Sequence, residues 1–125
     1  MASEKITSFT QLRTWQQARF LAVEVYKLSK QFPADEKFGL TSQIRRSAVS
    51  VAANIAEGFS RNGEKDKVQF YSISLGSLTE TLSHGYIAHD LGFLSEKELK
   101  LLEDKVIDIH KMTNGLIKSA GRRPA

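Results

Sequence analysis

The amino-acid sequence predicts an all-α fold: an up-down-up-down antiparallel four-helix bundle, built as a single domain over residues 1–125. Three observations predict it. Proline occurs only at Pro33 and Pro124 and runs of β-branched residues are short, so little in the chain opposes helix. Four long stretches place apolar residues three and four apart, the spacing that makes one face of a helix. The connectors between those stretches are short, and short links force successive helices to run antiparallel.

The first helix is expected over residues 11–32. Ser8 and Gln11 have the spacing of a capping box, and Pro33 cannot continue the helix. At about 100° per residue, Ala18, Leu21, Ala22, Val25, Leu28 and Phe32 share one face. Leu12, Phe20 and Val23 fall nearly opposite, with Gln16 among them. After the connector "PADEKFGL" a second helix is expected over residues 41–60, with Gly58 near its end.

A third helix is expected over residues 66–91, carrying Tyr71, Leu75, Leu78 and Leu82, with Gly92 as its stop. Gly76 and Gly85 lie inside it, and each costs about 1 kcal/mol relative to Ala unless close packing uses the missing side chain. "SEKE", Ser95 to Glu98, is a capping box that opens the fourth helix over residues 96–119. There Leu99, Leu102, Val106, Ile109 and Leu116 alternate in threes and fours, with Thr113 filling the remaining slot. At 1.5 Å per residue the four helices would be roughly 30 to 39 Å long. Residues 120–125, with Arg122 and Arg123, are expected to form a disordered basic tail.

The second helix is unusual. Leu40, Ile44, Ala48, Val51 and Ile55 form its core stripe, but the opposite side carries Val49, Ala52, Ala53 and Ala56, with Ser42 and Ser60, instead of a solvent face of Lys and Glu. Small residues admit a second backbone at close range, and exposed apolar patches mark interfaces. With the second stripe of the first helix, this predicts a closed homo-oligomer whose interface includes Leu12, Phe20, Val23, Val49, Ala52, Ala53 and Ala56. The competing reading is an Ala-rich helix with a bland surface. Along its flank runs a polar ridge of Gln43, Arg46, Ser50, Asn54, Glu57 and Arg61. That ridge is either a groove contacting a ligand or nucleic acid, or an ion-pair and hydrogen-bond network centred on Arg46, Asn54 and Glu57 that fixes register. The structural reading is preferred, because buried polar groups need partners.

The chain contains no cysteine, which excludes disulfides and thiolate chemistry. No stretch approaches the roughly 20 apolar residues that cross a bilayer, and the first ten residues carry no apolar run of the signal-peptide kind, so a cytoplasmic protein without a membrane role is expected. The net charge of +4 and pI near 9.4 permit attraction to nucleic acid. Basic residues are interleaved with acidic ones, so no single helix is a basic stripe.

Catalytic motifs are not found. "GFSRNGEK" (58–65) lacks the Lys-Ser/Thr that must follow the second Gly of a phosphate-binding loop. "LGSLT" lacks the spacing of a nucleophile elbow. His84 lies one turn from Glu80, but His89 points elsewhere and His110 is on another helix, so neither a metal site nor a cofactor is expected.

"LTSQIRRSAVSVAANIAEGFSR" (40–61) closely resembles the signature of the four-helix bundle proteins encoded in intervening sequences of bacterial 23S rRNA genes. "FTQLRTWQQARFLAVEVYKLSKQFP", "FYSISLGSLTET" and "DLGFL" are similar to the same family, so the resemblance spans nearly the whole chain. It implies a homopentameric bundle without an established biochemical activity. The accessory variability protein of diversity-generating retroelements is similar in fold and assembly, and works with a reverse transcriptase and nucleic acid. Family members often carry a carboxylate at the position of Leu82 and a large apolar residue at that of Gly85; this chain departs at both.

Together these readings predict a non-enzymatic oligomer that contacts RNA, or a nucleic-acid-handling protein, through repeated basic surface. Lys65, Lys67, Arg122 and Arg123 are the expected contacts, chosen for charge alone. The alternative is a protein-binding scaffold with no nucleic-acid role.

Overall fold

The computed structural model describes residues 5–121. Four α-helices follow one another: α1 Arg13–Ser29, α2 Leu40–Ser60, α3 Glu64–Asp90 and α4 Glu96–Gly121. One-turn 3-10 helices, Phe9–Gln11 and Ala34–Glu36, precede α1 and α2. Among the described residues there is no strand. Each helix packs on the next, and α1 closes against α4, which makes a four-helix bundle. Across α2 and α3 the contacts pair Ser47 with Thr81, Val51 with Ser74 and Gly58 with Lys67, so these two helices run antiparallel.

The helix ends show where local chemistry governs and where it does not. Ser8 and Gln11 do form a capping box, but it caps the 3-10 turn. Leu12 is then extended, and α1 starts only at Arg13. This corrects the expected placement of Leu12 on the outer stripe. Because its backbone is not helical, the 100° projection does not apply to it, and its side chain is 8% exposed within the core. Gln16, projected beside it, donates from Nε2 to Thr10 O at 2.9 Å. At the other end α1 stops at Ser29, short of Phe32, which is nevertheless buried and packs its ring 5.6 Å from that of Phe93.

Glu64 and Asp66 occupy the first turn of α3, where negative charge complements the helix dipole. Gly92 ends the helix with φ +82°, while Phe93 N donates to Ala88 O at 2.8 Å and Gly92 N to His89 O at 2.9 Å. This is a Schellman closure, which needs the left-handed conformation that Gly adopts without strain. In α4 the box forms as expected: Glu98 N donates to Ser95 Oγ (3.1 Å) and Ser95 N to Glu98 Oε1 (2.9 Å). The Ser95 N–H, helped by Gln31 from the turn after α1, holds the Glu98 carboxyl below the usual carboxylate range. The helix continues to Gly121 with Ala120 buried, so the segment expected as tail begins as helix. Arg122 and Arg123 lie outside the described residues.

The core is aliphatic on three helices: Ala18, Leu21 and Val25; Ile44, Ala48, Val51 and Ile55; Leu102, Val106 and Ile109. On α3 it is different. Beside Tyr71 and Leu78 the buried positions are Lys67, Ser74, Ser77, Thr81, Gly85 and Ala88. Their hydroxyls are paired: Ser74 Oγ donates to Val51 O (3.0 Å), Ser77 Oγ to Ser50 Oγ (3.0 Å), and Thr81 Oγ1 lies 2.8 Å from both Ser47 Oγ and Ser77 O. At the open end of this seam a Cβ on Gly58 would sit 2.6 Å from Cε1 of Tyr71. The α2–α3 pair is the most closely packed in the bundle because these side chains are small.

Candidate functional site

The polar ridge lies along α2, but it is two local pieces and not one network. Asn54 Nδ2 donates to Ser50 O at 2.8 Å and to Ser50 Oγ at 2.9 Å, and Ser77 ties that cluster to α3. Further on, Glu57 and Arg61 form a surface ion pair at 3.1 Å, with the Arg61 guanidinium 4.8 Å from the ring centre of Phe70. Gln43 and Arg46 are exposed, and among the described residues the Arg46 side chain makes no hydrogen bond or ion pair. The expected link from Arg46 to Glu57 is therefore absent. Eleven residues separate them, about 16 Å along the axis, too far for side chains to meet.

The outer stripes are where projection placed them, Leu12 excepted. Phe20 and Val23 on α1 are each 48% exposed, and Val49 on α2 is 45% exposed. Ala53 is exposed; Ala56 is half-buried, and Ala52 packs partly against the core. A further row runs along α3 at spacings of three and four in the sequence, outside its inner stripe. It comprises Ile73, Gly76, Glu80, His84, Ile87 and Leu91, with the three large apolar residues exposed. Within it Glu80 and His84 pair at 3.3 Å.

Lys67 does not face solvent. It is 5% exposed, and its Nζ donates to Gly58 O (3.2 Å) and Phe59 O (2.7 Å), two carbonyls at the end of α2. A cation at that position satisfies acceptors the helix cannot satisfy itself and complements the negative end of its dipole. Its expected role in contacting nucleic acid is corrected to a structural one; the signal for this was Lys67 following Gly58 by nine residues across a tight turn. Lys65, two residues earlier, is exposed. Among the described residues no group of three His, Asp or Glu is arranged to hold a metal ion. Nor is any helix there long and apolar enough to cross a membrane.

The sequence model of the 23S rRNA-intervening sequence protein family matches residues 10–115. The chain belongs to that family. No curated protein sequence matches it significantly. Its fold is similar to the crystal structure of a protein of unknown function from the S23 ribosomal protein family of Bacteroides thetaiotaomicron. The TM-score is 0.75 at 21% identity, covering 84% of this chain and 98% of that one. That likeness carries the fold only.

In this intervening-sequence protein Leu82 and Gly85, two positions singled out in the sequence, have different surroundings. A Cβ on Gly85 would lie 2.5 Å from Cδ2 of Leu102, so Leu102 of α4 occupies the space a larger residue at 85 would take. Leu82 is half-buried and packs against the core. Gly76, by contrast, has no atom within 4 Å of where its Cβ would be.

Proposed function

We propose that this intervening-sequence protein is a non-enzymatic homo-oligomer, a pentamer as the family resemblance implies, that acts in the cytoplasm by contacting RNA or a nucleic-acid-handling protein. The observation that carries the reading is the outer face of α1 and α2, where Phe20, Val23, Val49 and Ala53 are exposed, with the Arg19 guanidinium 5.6 Å from the Phe20 ring centre. An apolar row of this kind gains by burial against a second copy, at roughly 25 cal/mol per Å² removed from water. The nucleic-acid half is supported by charge. Five chains of +4 would bring about +20 onto one particle. The family's name, which links it to intervening sequences of 23S rRNA, is consistent with such a partner.

Light scattering tests the assembly. The chain should run as a closed oligomer at micromolar concentration, and Ala53→Glu should dissociate it while leaving the helical circular dichroism intact. A single-subunit mass for the unaltered protein overturns the reading. Binding to RNA should be weak, indifferent to sequence and steeply reduced by salt, because phosphate contacts release counterions but read no bases. An oligomer that shifts no RNA at low salt would instead be a protein scaffold.

A further inference from the structure

The end of α1, the connector after it and the start of α2 enclose a shallow cavity of about 370 Å³. Its wall carries three cations, Lys37, Arg45 and Arg46, two aromatic rings, Tyr26 and Phe38, and the Ser42 hydroxyl, with no carboxylate among the lining residues. Elsewhere on this surface acidic and basic residues alternate, so three cations lining one hollow with no carboxylate in its wall is a local departure. The free N–H of Leu40 at the start of α2 is already taken by Glu36 Oε1, at 3.0 Å, so the side chains and not the helix terminus define the hollow.

The three cations are held differently. Arg45 is fixed: Nε donates to Ser29 Oγ at 2.7 Å, a terminal nitrogen to Tyr26 O at 3.4 Å, and the guanidinium lies 4.5 Å over the Tyr26 ring. The Arg46 side chain has no such partner, and Lys37 Nζ is 5.5 Å from the Phe38 ring. Phe38 itself is 90% exposed, whereas the other exposed large apolar residues lie at 55% or less. An exposed ring beside Lys37, Arg46 and a fixed guanidinium is the pairing that holds single strands: a platform for a base and charges for its phosphate.

We infer that this corner binds one nucleotide unit of single-stranded nucleic acid, with the base stacked on Phe38 and the phosphate against Arg46 and Lys37. The inference rests on the nucleic-acid reading above and gives it an address. Arg45 supplies fixed positive charge behind the phosphate, and Ser42 offers it a hydroxyl donor.

Fluorescence anisotropy of the full chain with a labelled 12-nucleotide oligouridine, and with a 12-base-pair RNA duplex, tests this. Phe38→Ala should weaken oligouridine binding about tenfold, the scale of one lost base stack. It should leave both the duplex affinity and the salt slope unchanged, since bases in a duplex are not free to stack. Arg46→Ala should weaken both ligands and flatten the salt slope by about one. Both side chains lie outside the core, so neither change threatens folding. Wild-type binding that survives both substitutions but is weakened by Lys65→Ala overturns the site and leaves the nucleic-acid reading standing. Equal weakening of duplex and single strand by Phe38→Ala overturns the stacked base. A wild-type chain that binds neither ligand ends both proposals.

Discussion

α3 and α4 are neighbours of nearly equal length, 27 and 26 residues, that bury opposite kinds of stripe. α4 turns Leu102, Val106 and Ile109 inward, and its one buried hydroxyl, Thr113, is satisfied within the helix by Ile109 O at 2.7 Å. α3 turns Ser74, Ser77, Thr81 and Gly85 inward beside Tyr71 and Leu78, and leaves Ile73, Ile87 and the adjoining Leu91 in solvent. The difference teaches that the two helices are held by different physics. α4 is held by apolar area removed from water, which is indifferent to small shifts along the axis. α3 is held against α2 by close approach and by hydroxyl pairs that close at one register only. The helix that lacks an ordinary amphipathic pattern is thus the one whose position is most narrowly specified.

The largest expected effect breaks the apolar side. Ile109→Ala empties a fully buried site and should cost about 2–5 kcal/mol, read as a drop in the denaturation midpoint with little change in its slope. A loss below about 1 kcal/mol would mean that α4 is loosely packed and the contrast is misdrawn.

An intermediate effect addresses the hydroxyl seam. Thr81→Val keeps the shape but removes the donor to Ser47 Oγ, which keeps its own bond to Ile44 O, and should cost about 0.5–1.5 kcal/mol. Adding Ser47→Ala should cost less than it does alone, because the bond across the seam is already gone. Strict additivity in this double-mutant cycle would show that the seam contributes no coupling between α2 and α3.

The smallest effect is a difference of sign on two glycines. Gly76→Ala meets open space on the outer face of α3 and should stabilise by about 0.5–1 kcal/mol through helix propensity alone. Gly58→Ala must push against the buried Tyr71 ring, and about 1–3 kcal/mol of overpacking should outweigh the same propensity gain. Thermal melts of the two variants should move in opposite directions; parallel shifts would show that the α2–α3 approach at Gly58 is not close.

These contrasts explain what could be read in advance. The stripes of α2 and α4 followed from spacing because each is written in large apolar residues, and the α4 start followed from a capping box that closes over four residues. Phe20, Val23 and Val49 were found because they sit on regular helix. Leu12 was misplaced because one extended residue resets the angular count, and Lys67 because a buried cation looks in sequence like an exposed one. The α1–α2 corner is not legible in the sequence: Tyr26, Lys37, Phe38 and Arg45 belong to three different segments and make no pattern along the chain.

The sequence by itself determined the four helices, their order and the faces written in aliphatic residues, since helical periodicity and capping act between residues three or four apart. Only the tertiary structure decided that Ser47 meets Thr81, that Lys67 closes the end of α2, and that three cations gather round Tyr26 and Phe38. Those outcomes depend on how far two helices approach and at what register they settle, and that is set by contacts among residues distant in the chain.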